Sequence, residues 1–462
     1  MALVEKFDSI VLGGGKAGKS LAMALGPAGH KVALIEKGQI GGSCINVACI
    51  PTKTMVASVG LLDKVKHAGD FGLHLQEPQV KIADIIERKR RVVKAMVDSH
   101  WHLFKNTPNL ELIIGSGTFI SPKEILVRSQ DETERILTAD RIFINTGSKT
   151  MIPAIPGLNN VPNLTSTSIM ELSVLPSELA IIGGGYIALE FAQIFARLGS
   201  KVTVLLRGDR FLPNEDRDIA DAVKEILEAE GIVFKQNLKF NSVQVLSDSR
   251  IKVTVSRDHE NEELTVSHLL VAVGRVPNTK DLGLDAAGIT TDEKGHISVN
   301  AKLETNVPGI WALGDCNGGP LFTHVSWDDY RIVKANVLAG ATRSTEGRLV
   351  PYTLFIDPEL GRVGLTEEQA LKKGLDIIVA KIPAAKIPRA VTSGESRGLL
   401  KAVINKQSGH ILGVSLLCHS AGEVMSVVQM AMLGKLHYTE VRDTIFTHPT
   451  MAESLNLLFA GI

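Results

Sequence analysis

The stretch "FDSIVLGGGKAGKSLAMALGPAGHKVALIEK" changes hydrophobic period twice. A continuous apolar run, Ile10–Leu12, meets three glycines. Small and apolar residues then recur at helical spacing through Leu21 and Leu25, and a second unbroken run, Val32–Ile35, follows. Short apolar runs bounded by turns mark strands buried on both faces, whereas a three-to-four spacing marks a helix. The pattern predicts strand, glycine turn, helix, strand. "ELAIIGGGYIALEFAQIFARLGSKVTVLLRGDR" repeats it. Two further apolar runs end on glycine: "ADRIFINTGSKTMIPAIPG" at Thr146–Gly147, and "HLLVAVGRVPN" at Gly274. These are expected to be the crossings between the two repeated units. From about residue 340 the glycine turns stop. There "GLLKAVINKQSGHILGVSLLC" predicts a β-hairpin and "AGEVMSVVQMAMLGKL" an amphipathic helix.

The glycines of the two repeats have a chemical reading. In the first, Gly13 permits a tight turn, Gly15 lets a pyrophosphate approach the backbone at a helix N-terminus, and Gly18 lets the helix pack close to the strand. Glu36, 21 residues beyond Gly15, stands where a carboxylate accepts hydrogen bonds from an adenosine ribose. The second repeat has Gly183, Gly185 and Ala188, but its strand runs out at Arg207, 22 residues beyond Gly185, with Arg210 close behind. A carboxylate there repels a ribose 2′-phosphate and a guanidinium pairs with it. The first site is therefore read as binding FAD and the second as binding NADPH, the alternative for Arg207 being a solvated charge at a strand end. In "TNVPGIWALGDCNGG", Asp315 follows a strand-end glycine and suits a ribityl hydroxyl.

The expected architecture is α/β: two Rossmann-like dinucleotide-binding domains and a C-terminal α+β domain. The FAD-binding domain is expected at 1–150 with a return segment at 273–338, the NADPH-binding domain at 151–272, and the third domain at 339–462. A chain of 462 residues suits about three domains.

Composition narrows the partners. Lysine plus arginine and aspartate plus glutamate both total 50, which leaves no electrostatic reason to expect nucleic acid or an acidic membrane surface. The N-terminus "MALVEKFDSIVLGGG" has neither the basic-then-apolar pattern of a signal peptide nor a span of about 20 apolar residues. A cytoplasmic location is expected, and four cysteines form no disulfide framework.

Two of those four stand five residues apart in "GGSCINVACIPTK". In a regular helix that separation is about 7.5 Å of rise, and a disulfide needs Cα atoms within about 7 Å. Cys44 and Cys49 can bond only where the segment departs from an ideal helix. Pro51 favours such a departure because it cannot donate to the Val47 carbonyl. A structural disulfide, a zinc site and two buried free thiols compete with this reading. Cys316 and Cys418 offer no paired zinc-ligand spacing, and the place just after the first glycine unit favours a redox dithiol.

With these segments together, the chain resembles the FAD-dependent pyridine nucleotide–disulfide oxidoreductases. The resemblance runs its whole length, through "GGGKAG", "GGSCINVACIPTK", "NTG", "GGGYIALE", "VGRVPN", "ALGDC" and "HPTMAE". It implies that Cys49 is the charge-transfer thiol beside the flavin and Cys44 the interchange thiol that meets substrate. It further implies that Lys53 pairs with Glu190 near the flavin, and that Tyr186 covers the nicotinamide pocket. His448 with Glu453 then forms the acid–base pair, and the C-terminal domain forms a homodimer in which the histidine reaches the partner's disulfide. Within the family, "THVSWDDYRIV" and "FTHPTMAESLN" resemble mercuric-reductase-like flavoproteins linked to reactive-chlorine resistance, which implies a disulfide or a metal ion such as Cu(II) or Hg(II) as acceptor. The chain departs from mercuric reductase in lacking an N-terminal cysteine-bearing domain and a C-terminal cysteine pair. Dihydrolipoamide dehydrogenase and glutathione-reductase-type activity are the enzymatic alternatives, and a redox-sensing flavoprotein is the non-enzymatic one.

Overall fold

The computed structural model describes residues 4–462. The chain divides into two compact units. The first comprises the chain through Thr54, Glu87–Met151 and Arg275–Arg348; the second comprises Met55–Ile86, Ile152–Gly274 and Leu349–Ile462.

In the first unit the unbroken apolar runs that the sequence marks become strands of one parallel sheet. Leu110–Ser121, Val32–Glu36, Ser9–Leu12, Arg141–Ile144 and Ile310–Ala312 are neighbours in that order, all parallel. The Ser9–Leu12 strand is buried along its whole length, as a central strand covered on both faces must be. Leu110–Ser121 is long enough to change partners. Its first half pairs parallel with Val32–Glu36, and from Gly115 its second half turns antiparallel against Glu124–Ser129. The helix Lys16–Leu25 buries Ala17, Gly18, Leu21, Ala22 and Leu25, a stripe at helical spacing. The two glycine-ended runs expected as crossings pair with one another: Ser148–Thr150 and Arg275–Pro277 form an antiparallel ribbon, Arg275 opposite Thr150.

The second unit holds three sheets. Val233–Lys235, Lys201–Leu205, Glu178–Ile182, His268–Val271 and Asn163–Leu164 form a parallel sheet in that order, and Lys239–Val245, Ile251–Arg257 and Glu260–Val266 an antiparallel meander. A five-stranded antiparallel sheet follows in the order Tyr352–Leu354, Glu359–Gly364, Ile411–Cys418, Leu399–Asn405, Ile377–Pro383. The expected hairpin is its centre, and the expected amphipathic helix, Ala421–Leu433, buries Ala421, Val424, Met425, Val428 and Ala431. The parallel and C-terminal sheets share this unit. Lys401, on the hairpin, is buried among Asp216, Asp218 and Glu367, and Arg197 joins Glu230 to Asp357. Buried charges persist only when paired, so these residues hold the two sheets in one arrangement.

Candidate active site

The first glycine loop is shaped by steric exclusion. Gly13 has φ +97°, and a Cβ there would lie 2.3 Å from the Asn145 carbonyl oxygen; one on Gly18 would lie 2.1 Å from the Gly13 carbonyl oxygen. Only bare backbone fits. Glu36 is held in place as its Oε2 accepts from Gly14 N at 2.7 Å and its Oε1 from Gly38 N at 2.7 Å.

Asn145 is the residue that sequence reasoning passed over. Its Oδ1 accepts from Gly18 N at 2.9 Å, its Nδ2 donates to the Leu313 carbonyl at 2.6 Å, and its backbone N donates to Leu12. One residue thus fixes the helix start, the strand beneath it and the strand end before Asp315. The next two residues, Thr146 and Gly147, are pinned by Asn278, whose side chain donates to the Thr146 carbonyl and whose backbone donates to that of Gly147. Asp315 Oδ2 accepts from Ser148 Oγ at 2.5 Å, and Arg275 donates to the same hydroxyl.

The dithiol segment packs directly on this loop. Gly41 and Gly42 have φ +100° and +71°, and a Cβ on Gly42 would come within 2.6 Å of the Gly15 Cα. The short helix Gly42–Asn46 carries Cys44 and stops at Val47, whose φ of −142° leaves helical space. A new 18-residue helix, Cys49–Lys66, begins on Cys49. The departure from an ideal helix that the spacing demands is this break, and Pro51 lies in the first turn, where an amide hydrogen has no helical acceptor. Substituting Gly42 by alanine combines a left-handed backbone with overlap on Gly15. It is expected to cost about 1–3 kcal/mol, read as a lowered thermal midpoint together with weakened FAD retention.

Both cysteines are thiols in this structure and half-buried. Hydrogen bonding to Cys49 and burial push the Cys44 thiol far above its ordinary range, while Thr323 and Lys19 act in the opposite direction. Cys49 stands at a helix N-terminus with Thr323 Oγ1 3.4 Å from its sulfur, a setting that favours a thiolate. The other two cysteines are wholly buried in core clusters.

In the second unit Gly183 has φ +120°, with the Ala272 carbonyl 2.3 Å from where a Cβ would stand, and Gly274 follows at φ +139°. Nothing lies within 4 Å of a Cβ position on Gly185, so this N-cap of the helix Tyr186–Leu198 is an open approach for a phosphate. Ala188 is buried in that helix, where a small residue permits close packing. Tyr186 donates its hydroxyl to Glu215 Oε1 at 3.0 Å. Tyr352 donates to the same oxygen at 2.6 Å and accepts from Arg362. The carboxylate on which the Tyr186 hydroxyl is anchored is only 1% exposed. Glu190 is buried, and its Oε1 accepts from Phe355 N at 3.1 Å. Lys53, on the helix Cys49–Lys66, lies in the first unit and Glu190 in the second. Arg210 is committed to Glu368 and to the Glu215 carbonyl. Arg207 is exposed and makes no ion pair among the described residues. At the C-terminal end His448 Nδ1 lies 2.9 Å from both carboxylate oxygens of Glu453, so Nδ1 donates and Nε2 is left for outside chemistry.

Residues 7–329 match the family described as pyridine nucleotide-disulphide oxidoreductase, and residues 350–458 match that family's dimerisation domain. The chain belongs to the pyridine nucleotide-disulphide oxidoreductases. A probable oxidoreductase of this family from Escherichia coli, RclA, is 42% identical over 461 residues, covering 99% of both chains. A mercuric reductase from Staphylococcus aureus is 33% identical over 451 residues, 98% of this chain and 81% of that one. The solved Cu(II) complex of the HOCl-induced flavoprotein disulfide reductase RclA superimposes with a TM-score of 0.91 at 41% identity, covering 99% of each chain.

As a member of this family the chain is an oxidoreductase and a flavoprotein that takes FAD and a nicotinamide dinucleotide. Its residues fit both groups: each glycine loop keeps side-chain atoms away from a helix N-terminus, and Glu36 is fixed for a ribose. Residues 350–458 are the part through which the homodimer forms. Gly42–Lys66 has the length and apolarity of a membrane span, but it is interrupted at Val47, and Met55 and Val59 are packed in the core. It is a core helix.

Proposed function

We propose that the chain is an NADPH-dependent flavoenzyme whose Cys44/Cys49 pair reduces a disulfide or a soft metal ion. The observation that carries this reading is the helix break at Val47. It sets Cys44 against Cys49 at the start of a long helix, two residues from the glycine packed on the FAD loop. FAD, when bound, supplies the two-electron link between nicotinamide and dithiol.

On a disulfide substrate, Cys44 gives its proton to the partner subunit's His448 and attacks one sulfur, the substrate S–S bond breaks, and the departing thiolate takes that proton. Cys49 then loses its proton through the same histidine and attacks the Cys44 sulfur; the mixed disulfide breaks, the second thiolate leaves with that proton, and the Cys44–Cys49 bond is restored. The substrate gains two electrons and two protons. A soft metal ion takes the same two electrons, in one ion or shared between two. The copper and mercury in the names of the relatives favour metal-ion acceptors. A reducing cytoplasm is the compartment in which NADPH maintains such a dithiol.

One panel of acceptors tests this, with NADPH oxidation followed against glutathione disulfide, lipoamide, Cu(II), Hg(II) and a hypochlorite-treated thiol mixture. Reduction of at least one, lost in the cysteine variants, is expected. Turnover with lipoamide or glutathione disulfide alone assigns the chain to those activities instead. Failure with every acceptor makes it a redox-sensing flavoprotein.

The NADPH preference rests on Arg207, the unpaired guanidinium at the strand end, since Arg210 is already engaged. Arg207→Glu should raise the KM for NADPH by roughly 10- to 100-fold, because a charge-assisted hydrogen bond contributes about 1.5–3 kcal/mol. It should also improve NADH use. A wild-type enzyme that already prefers NADH refutes the assignment.

A further inference from the structure

Lys19 sits one turn inside the helix Lys16–Leu25, with only 5% of its surface exposed. A buried ammonium ordinarily stands beside a carboxylate, because removing the charge from water without one is costly. Lys19 has none among the described residues. Its ammonium meets His100 Nε2, on the helix Ile82–Lys105. His100 Nδ1 faces the Met96 carbonyl at 2.6 Å, and a carbonyl only accepts, so Nδ1 holds the imidazole proton. Nε2 must then be the lone-pair end, accepting from Lys19. The imidazole is neutral and orients the lysine without neutralising it. The remaining cation nearby, Lys16, lies over the Trp327 ring at 3.8 Å and adds positive charge.

The anion missing from this pocket is available from one place in the chain that changes charge during turnover. Cys44 is in the helix Gly42–Asn46, which packs through Gly42 on Gly15, and Gly15 accepts the hydrogen bond from Lys19 N. We propose that Lys19, held by His100, is a positioning residue for the relay: a thiolate at Cys44 balances its charge, and it thereby favours that thiolate for attack on the acceptor. The electrostatics agree with this placement. Burial, with Lys16 second, lowers the lysine pKa to about 8, and Cys44 acts to raise it again. Reciprocally, Lys19 favours ionisation of Cys44, against the effects of Cys49 and burial. Burial also lowers the pKa of His100, which keeps its imidazole neutral.

The inference rests on the relay reading only in taking Cys44 as the attacking thiol, and its test needs no acceptor and no turnover. In Cys49→Ser holoenzyme the two other cysteines are buried, so iodoacetamide reports on Cys44. Adding Lys19→Met should slow alkylation at pH 7 about tenfold, the effect of one pKa unit on the thiolate fraction, with FAD content unchanged by its visible absorbance. His100→Gln, whose amide oxygen still accepts from Lys19, should alkylate within about twofold of the parent, and His100→Leu should fall toward Lys19→Met. An unchanged rate in Lys19→Met overturns the proposal. So does a slower rate that tracks FAD loss, which would assign the lysine to holding the cofactor. Disulfide turnover persisting in Cys44→Ser would instead remove the relay itself.

Discussion

Cys44→Ser and Cys49→Ser should each lose about a thousandfold or more of NADPH-driven disulfide reduction, because each removes a nucleophile that the other cannot replace. The two losses should look different in the spectrum. Cys49 stands at the N-terminus of an 18-residue helix with Thr323 against its sulfur, a setting that favours a thiolate. Cys49→Ser should therefore abolish the long-wavelength thiolate–flavin absorbance on two-electron reduction, whereas Cys44→Ser should keep a thiolate beside the flavin. Electron leak from the flavin to oxygen or quinones requires no dithiol and should survive in both. Unchanged disulfide turnover in either variant would remove the pair from the mechanism.

The second large effect is a recovery. His448 and Glu453 form their pair in the second unit, whereas Cys44 and Cys49 belong to the first. The same unit leaves apolar side chains uncovered in a single chain: Ile445, three residues before His448, is 98% exposed, and Met430 on the Ala421–Leu433 helix is 68% exposed. A two-fold homodimer buries such a patch, and in it each active site can take its histidine from the other chain. Cys44→Ser and His448→Ala homodimers should both be nearly inactive. Mixed after reversible dissociation, they should regain up to about a quarter of wild-type turnover, since about half the dimers are mixed and each of those has one intact site. No recovery from verified heterodimers would place His448 in the same chain as its cysteine, or outside catalysis.

Those two experiments draw on different kinds of information. The cysteine pair and the glycine loops were legible in the chain because their chemistry is local. A phosphate approaching a helix N-terminus requires Gly13, Gly15 and Gly18 within one turn and helix start. A dithiol five residues apart requires a break between its members, and the structure places one at Val47. The unbroken apolar strands were legible for a similar reason: burial on both faces removes polar residues from every position. His448 and Glu453 are also local, five residues apart across one turn.

What tertiary structure alone decided lies in contacts between distant segments, which leave no period in the sequence. Asn145 reaches 127 residues back to Gly18, and Lys19 meets His100 across 81. Neither an asparagine at a strand end nor a lysine in a nucleotide helix announces such a partner. That Tyr186 and Tyr352 both donate to Glu215 is likewise visible only in the folded chain. Arg207 and Arg210 read alike, and only the position of Glu368 separates the free guanidinium from the engaged one. The chain by itself determined which residue types meet a phosphate, a ribose or an electron pair, because those demands are satisfied within a few consecutive residues. Which charges are neutralised, and by whom, was settled only when the sheets and helices packed, because burial and pairing depend on neighbours that chain order does not supply.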